Sequence, residues 1–76
     1  MQLLTKHQVL PLVHSQLSPT ATIIEAGAFD GRDTLLIAQQ FPQATIHAFE
    51  PVPEIFELLT KNTAHVPNIH RHPYAL

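Results

Sequence analysis

"TIIEAGAFDGRDT", residues 22–34, decides how this chain folds. Its opening run, Thr22-Ile23-Ile24, is short, β-branched and followed by turn signals, so residues 22–26 read as a buried strand. The run leads into an acidic residue, Glu25, and then into Gly27 and Gly31, the chain's two glycines. A carboxylate at the end of a buried strand is costly unless a partner accepts its charge. Glycines just beyond it allow a sharp turn or a close approach to the backbone. "DGRDTLLIAQQF", 30–41, then reads as a helix, with Asp30 as its N-cap and Pro42 ending it.

Working outward, a second strand-helix repeat follows. "ATIHAFE", 44–50, is a strand, and in "PVPEIFELLTKNTAHV" Pro53 suits the first helical position. Glu54 and Glu57 fall in the first turn, where the macrodipole favours negative charge. Glu57 precedes Lys61 by the spacing that favours an ion pair. "NIHRH", 68–72, makes a third strand. Leu35, Leu36, Ile37, Phe56, Leu58 and Leu59 are expected to face the sheet as core. Upstream, Thr5 and Gln8 fit a capping box, with Leu4 and Val9 as its hydrophobic staple. Leu10, Val13 and Leu17 continue at helical spacing, Pro11 interrupts, and "SPTAT" at 18–22 is a loop.

The expected organisation is an N-terminal helical segment and loop over 1–20 and a βαβαβ unit over 21–76. Strands alternating with helices of about ten residues define an α/β chain with a parallel sheet and right-handed crossovers. Three such strands, in spatial order 3-2-1, form the N-terminal half of a doubly wound, Rossmann-like fold. The first strand would then have a bare edge, open to pairing with another chain.

Bulk composition narrows the function classes. With 76 residues, 45% hydrophobic and 13% charged, the chain suits one small globular domain. It has no cysteine, which excludes a disulfide framework and a thiolate metal site. A net charge of -2, with Lys6, Arg32, Lys61 and Arg71 scattered, gives no footprint for nucleic acid. Apolar stretches fall short of the ~20 residues of a membrane span, and the start lacks a signal-peptide pattern, so a cytoplasmic location is the default expectation.

The turn after the first strand lies at the carboxyl end of the sheet, where ligands bind in doubly wound folds. Gly27 suits a positive φ and close ligand approach there, and Gly31 permits close packing where the helix begins. The dinucleotide pattern G-x-G-x-x-G fails, because Phe29 and Arg32 stand where its next glycines belong. Phe29 would crowd a pyrophosphate, and Glu25 and Asp30 would repel one. A cofactor with a positively charged end suits these acids better. Glu50 closes the second strand about 20 residues past Gly31, where an acid accepts hydrogen bonds from ribose hydroxyls. His70 and His72 share a strand face, but no third ligand is evident, so no metal site is expected. His47 is expected to be a packed or partly exposed strand residue, and His7, His14 and His65 ordinary helix residues.

Glu25-x-Gly27-Ala28-x-x-Gly31-x-Asp33-Thr34, followed by Phe49-Glu50-Pro51-x-Pro53 with Leu59 and Asn62, resembles the FkbM-type family of class I S-adenosylmethionine-dependent methyltransferases. The resemblance covers residues 22–76. It implies that Glu25 helps hold the methionine end of S-adenosyl-L-methionine, directly or through water. It also implies that Gly27 and Ala28 line that cofactor with backbone, that Gly31 belongs to the same turn, and that Glu50 holds the ribose. This sequence departs from the family with Glu for the commoner Asp at 25 and Phe for the usual Asn at 29. The expected parent activity is methyl transfer to a hydroxyl of a small molecule or glycan. Base and substrate contacts in such folds come from strands beyond the third, so no catalytic residue is assigned and the 76-residue chain alone is expected to be inactive. Two alternatives stand beside it. One is a non-catalytic α/β module that self-associates; the other, a nicotinamide-dependent reductase fragment, is disfavoured by Phe29 and Arg32.

Overall fold

A computed structural model describes residues 3–9 and 21–76. The expected helical run through Leu10, Val13 and Leu17, its interruption at Pro11, and loop residues 18–20 lie outside the described residues. The elements in chain order are β1 (Leu3–Thr5), α1 (Lys6–Val9), β2 (Thr22–Ala26), α2 (Arg32–Gln40), β3 (Thr45–Phe49), α3 (Pro53–Thr63) and β4 (Ile69–His72). They form one four-stranded parallel sheet of order β1-β2-β3-β4. Its β4-β3-β2 portion is the expected 3-2-1 half-fold, and the α/β class stands.

One part of the expected topology is corrected. Leu3–Thr5 is a strand, which pairs Leu3, Leu4 and Thr5 with Thr22, Ile23 and Ile24. The edge expected to be bare is therefore occupied over three residues, and among the described strands the outer ones are β1 and β4. A three-residue Leu-Leu-Thr run is too short to show alternation, and tertiary pairing supplies what local pattern does not. The helix after it, α1, has four residues. Its start keeps half of the capping box: Gln8 Oε1 accepts from the Thr5 amide at 2.8 Å. Val9 is buried and Leu4 packs on the same core.

Alternation along the strands sorts residues between two faces. Ile23, Glu25, Ile46, Ala48 and Ile69 are buried on the face that the helices cover. Ile37 and Ala38 of α2 and Leu59 of α3 close that core, and Phe56 packs on it. Leu36 and Leu58 do not join them; they are 53% and 49% exposed. Consecutive helical residues are about 100° apart, so an unbroken apolar run cannot place every member on one side. The Glu57–Lys61 pair does not form among the described ion pairs, both residues being solvent-exposed.

Helix boundaries place the site. α2 begins after Gly31, its N-cap at φ 91°, rather than after Asp30. Asp30 still serves that end, accepting from the Arg32 amide at 3.2 Å. Pro53 stands in the first turn of α3, as expected, with Glu54 beside it.

Candidate functional site

The β2–α2 turn folds over the end of β3. The amides of Gly27 and Ala28 both donate to the Phe49 carbonyl at 2.9 Å, and the next amide, that of Phe29, donates to Glu50 Oε1 at 2.8 Å. Glu50 Oε2 accepts from the Val52 amide at 3.1 Å. The Glu50 carboxylate is thus buried and held by two backbone amides from two different turns. Each carboxylate oxygen has a second lone-pair direction left for another donor.

This arrangement sets the turn's unusual backbone. Gly27 has φ 73°, and a Cβ there would sit in ordinary contact with the Phe29 ring at 3.8 Å, so the positive φ rather than crowding is what calls for glycine. Phe29 has φ 54°, a left-handed conformation that a side-chain-bearing residue adopts at a cost of about 1–2 kcal/mol. The gain that offsets it is the Phe29 amide's bond to Glu50, while the ring itself stays 62% exposed. Gly31 answers a different need. A Cβ on it would lie 2.9 Å from Thr63 Cγ2 and 3.0 Å from Leu59 Cδ1, so its bareness lets α2 start hard against α3.

Glu25 is sealed inside. It is fully buried; its Oε1 accepts from the Thr34 hydroxyl, and its Oε2 lies 3.1 Å from Lys6 Nζ. That second contact is one of charge rather than an aligned hydrogen bond. Lys6 Nζ also reaches Asp33 at 3.6 Å and sits 5.9 Å from the Phe29 ring centre. Burial pushes the Glu25 carboxyl above the usual carboxylate range, and the Thr34 hydroxyl and Lys6 charge pull it partly back.

The five candidate residues therefore divide. Gly27, Ala28 and Glu50 come together at the ends of β2 and β3, while Gly31 packs one helix on another and Glu25 faces inward to Lys6. An open cleft of about 520 Å³ adjoins the turn, between it and α3, and is lined by Phe29, Asp30, Arg32, Asp33, Ile55 and Leu58 above Ala28. Of the five candidates, Ala28 alone lines that cleft.

Lys6 and the turn-forming role of Phe29 escape a reading of the sequence. Lys6 is a lone basic residue far along the chain from Glu25. The signal that bears on Phe29 is its place between two glycines in a turn, where backbone need outweighs side-chain identity. Among the described residues, no group of three or more His, Asp or Glu is arranged to hold a metal ion, and no helix is long and apolar enough to cross a membrane.

A parallel half-sheet with a glycine turn and an acid at adjoining strand tips is compatible with the nucleotide-binding half of a Rossmann-like fold. The chain is 43% identical over 42 residues to "Methyltransferase sdnD" of Sordaria araneosa. The match takes in 55% of this chain and 16% of that protein. No family model matches the chain. The likeness supports a methyltransferase-like segment.

Proposed function

We propose that this chain carries the first cofactor-binding elements of an S-adenosylmethionine-dependent methyltransferase of the FkbM type, acting on a hydroxyl of a small molecule or glycan. The observation that carries the reading is Glu50, held by the amides of Phe29 and Val52 at the tip of β3 beside the Gly27 turn. A buried carboxylate with lone pairs to spare suits the paired hydroxyls of a ribose. The similarity to a methyltransferase supports the choice among ribose-bearing cofactors.

In this reading Glu50 holds the ribose, and Gly27 and Ala28 let the cofactor lie against the backbone. With the Gly27 and Ala28 amides already donating to Phe49, and the Ala28 carbonyl accepting from the Gly31 amide, the turn has no N–H of residues 27 and 28 left for an anion. A cationic cofactor suits that polarity better than a pyrophosphate does. Gly31 contributes by seating α2 against α3. Glu25 is in contact with one ammonium, that of Lys6, and the methionine end of a cofactor would reach it directly after Lys6 moves aside. The bound cofactor supplies an electrophilic methyl group, and the protein's part is alignment and exclusion of water.

Calorimetric titration of the chain with S-adenosylmethionine, S-adenosylhomocysteine and NADH tests this. Weak, saturable binding of the two adenosyl compounds is expected, lost in Glu50→Ala, with NADH inert. Equal binding of NADH, or adenosyl binding indifferent to Glu50→Ala, refutes it.

A second reading, a non-catalytic self-associating module, is favoured by one observation. The sheet face bearing Ile24, His47, Phe49, His70 and His72 lies opposite the helices, whereas parallel sheets are as a rule covered on both sides. A monodisperse monomer in sedimentation velocity would count against it.

A further inference from the structure

Three imidazoles stand together on that face, opposite the described helices. His47 and His70 are register partners on β3 and β4, and His72 follows two residues on, so all three point the same way. The rings of His47 and His70 stack with centres 5.1 Å apart, and those of His47 and His72 with centres 5.2 Å apart. His47 Nδ1 lies 2.9 Å from His72 Nε2. Phe49 stacks on the same His72 ring at 4.4 Å, and Tyr74 tilts against both.

An N···N contact of this length works with one proton between the two rings, one nitrogen donating and the other accepting. With both rings fully protonated, two N–H groups turn on each other and two cations stand side by side. Among the described residues, nothing nearby compensates. The register partner of His47 on β2 is Ile24; its face neighbours on β3 are Thr45 and Phe49, and on β4 His70 and His72, with the Tyr74 hydroxyl 3.5 Å from His72 Nδ1. Arg71, between the two β4 histidines, turns to the helix face and donates to Thr63. Glu50 has its carboxylate on the Phe29 and Val52 amides, and Glu25 and Asp33 both meet Lys6. Among the described residues, no carboxylate is paired with any of the three histidines.

The stack also touches the site. The Glu50 amide donates to the His72 carbonyl at 3.1 Å, so edge strand β4 braces the backbone of the residue placed against the ribose.

We propose that His47, His70 and His72 form an acid-released clasp: neutral, they hold β4 against β3 and brace Glu50; protonated, they repel and free that edge. Burial and its two histidine neighbours hold the His47 imidazole below its ordinary 6.5. The sign follows. A depressed folded value means that the clasp is intact above 6.5 and is lost as pH falls below it. Its effect on cofactor binding rests on the reading of Glu50 above; the clasp itself does not.

Amide hydrogen exchange of the full chain, corrected for intrinsic rates and compared at about pH 7.5 and about pH 5.5, tests it. Each proton that the unfolded chain binds and the folded clasp does not weakens protection by up to about tenfold per pH unit. The Glu50 amide is expected to lose about tenfold in protection, while the α2 amide of Leu35, bonded to the Gly31 carbonyl, changes less. In His47→Phe/His72→Phe the acid loss should vanish. His70→Gln, at an exposed position, should fold and lessen it. An unchanged Glu50 amide in the parent chain, or an equal acid loss in either variant, overturns the clasp. Titration with S-adenosylmethionine at both values forms a separate arm: absence of binding at both values counts against the cofactor reading and leaves the exchange result to decide the clasp.

Discussion

Replacing Lys6 with methionine leaves the Glu25 carboxylate buried with one hydroxyl donor and no cation. Breaking a buried ion pair by removing one partner costs about 3–5 kcal/mol, because the remaining charge is uncompensated. At roughly 0.05–0.15 kcal/mol per residue, the whole stability of a chain this size is about 4–11 kcal/mol. Lys6→Met therefore removes a large part of it, and by urea unfolding at neutral pH its midpoint should fall by about 2 M or more. Glu25→Gln behaves differently. It removes the desolvated charge, leaves a polar group for the Thr34 hydroxyl, and leaves Lys6 with half-exposed Asp33, so a change within about 1 kcal/mol is expected. The double variant should lie near the parent. The pH sign separates this from simple loss of packing. The folded Glu25 carboxyl titrates above its ordinary 4.5, so its contribution is present below 4.5 and is lost as pH rises through the folded value. Without Lys6 the folded value climbs further and that loss deepens, so Lys6→Met should regain stability on acidification relative to the parent, and Glu25→Gln should not. A Lys6→Met chain within about 0.5 kcal/mol of the parent at neutral pH, or as unstable as its double variant, would refute the ion-pair argument.

Phe29→Asn should stabilise the chain by about 0.5–1 kcal/mol, since Asn tolerates the left-handed backbone and the exposed ring contributes only a distant contact with Lys6. Phe29→Ala, which keeps the strain, should not stabilise, and chemical unfolding of the two variants checks the difference. Gly31→Ala meets both a positive φ and a Cβ pressed against Thr63 and Leu59, so a loss of about 2–4 kcal/mol is expected in the same assay. Thr34→Val strips the one hydroxyl bonded to Glu25 and should cost about 1–3 kcal/mol, read as a lowered thermal midpoint at neutral pH and a smaller loss at acid pH.

The strand-helix repeat was legible because its signals are local. Short β-branched runs, Pro42 after one helix and Pro53 opening the next each bias the backbone where they stand, and β2, β3, β4, α2 and α3 lie within a few residues of where those signals put them. β1 was not legible, since three residues carry no period and its pairing with Thr22–Ile24 depends on a segment distant in sequence. The site divides the same way. Gly27 announced a positive φ and has one, and Gly31 announced close packing at the helix start, where Thr63 and Leu59 press on it. The direction of the Glu25 side chain was fixed by strand parity, which places it with Ile23 on the helix-covered face rather than at an open mouth. What neutralises it there, Lys6, is a tertiary fact that no spacing rule reports.

Phe29 shows why the two motifs belong together. Read by its side chain it is an obstruction, yet its ring points to solvent and its backbone does the positioning. Three successive amides, those of Gly27, Ala28 and Phe29, converge on the last carbonyl of β3 and on Glu50. The third reaches Glu50 because the chain turns left-handed at residue 29. That makes the glycine turn and the acid at the β3 tip one rigid unit, joined across the sheet rather than along the chain. An Asn at this place satisfies the backbone without strain, and a Phe satisfies it at a cost. What residue 29 supplies to Glu50 is thus its φ and its amide, not its ring.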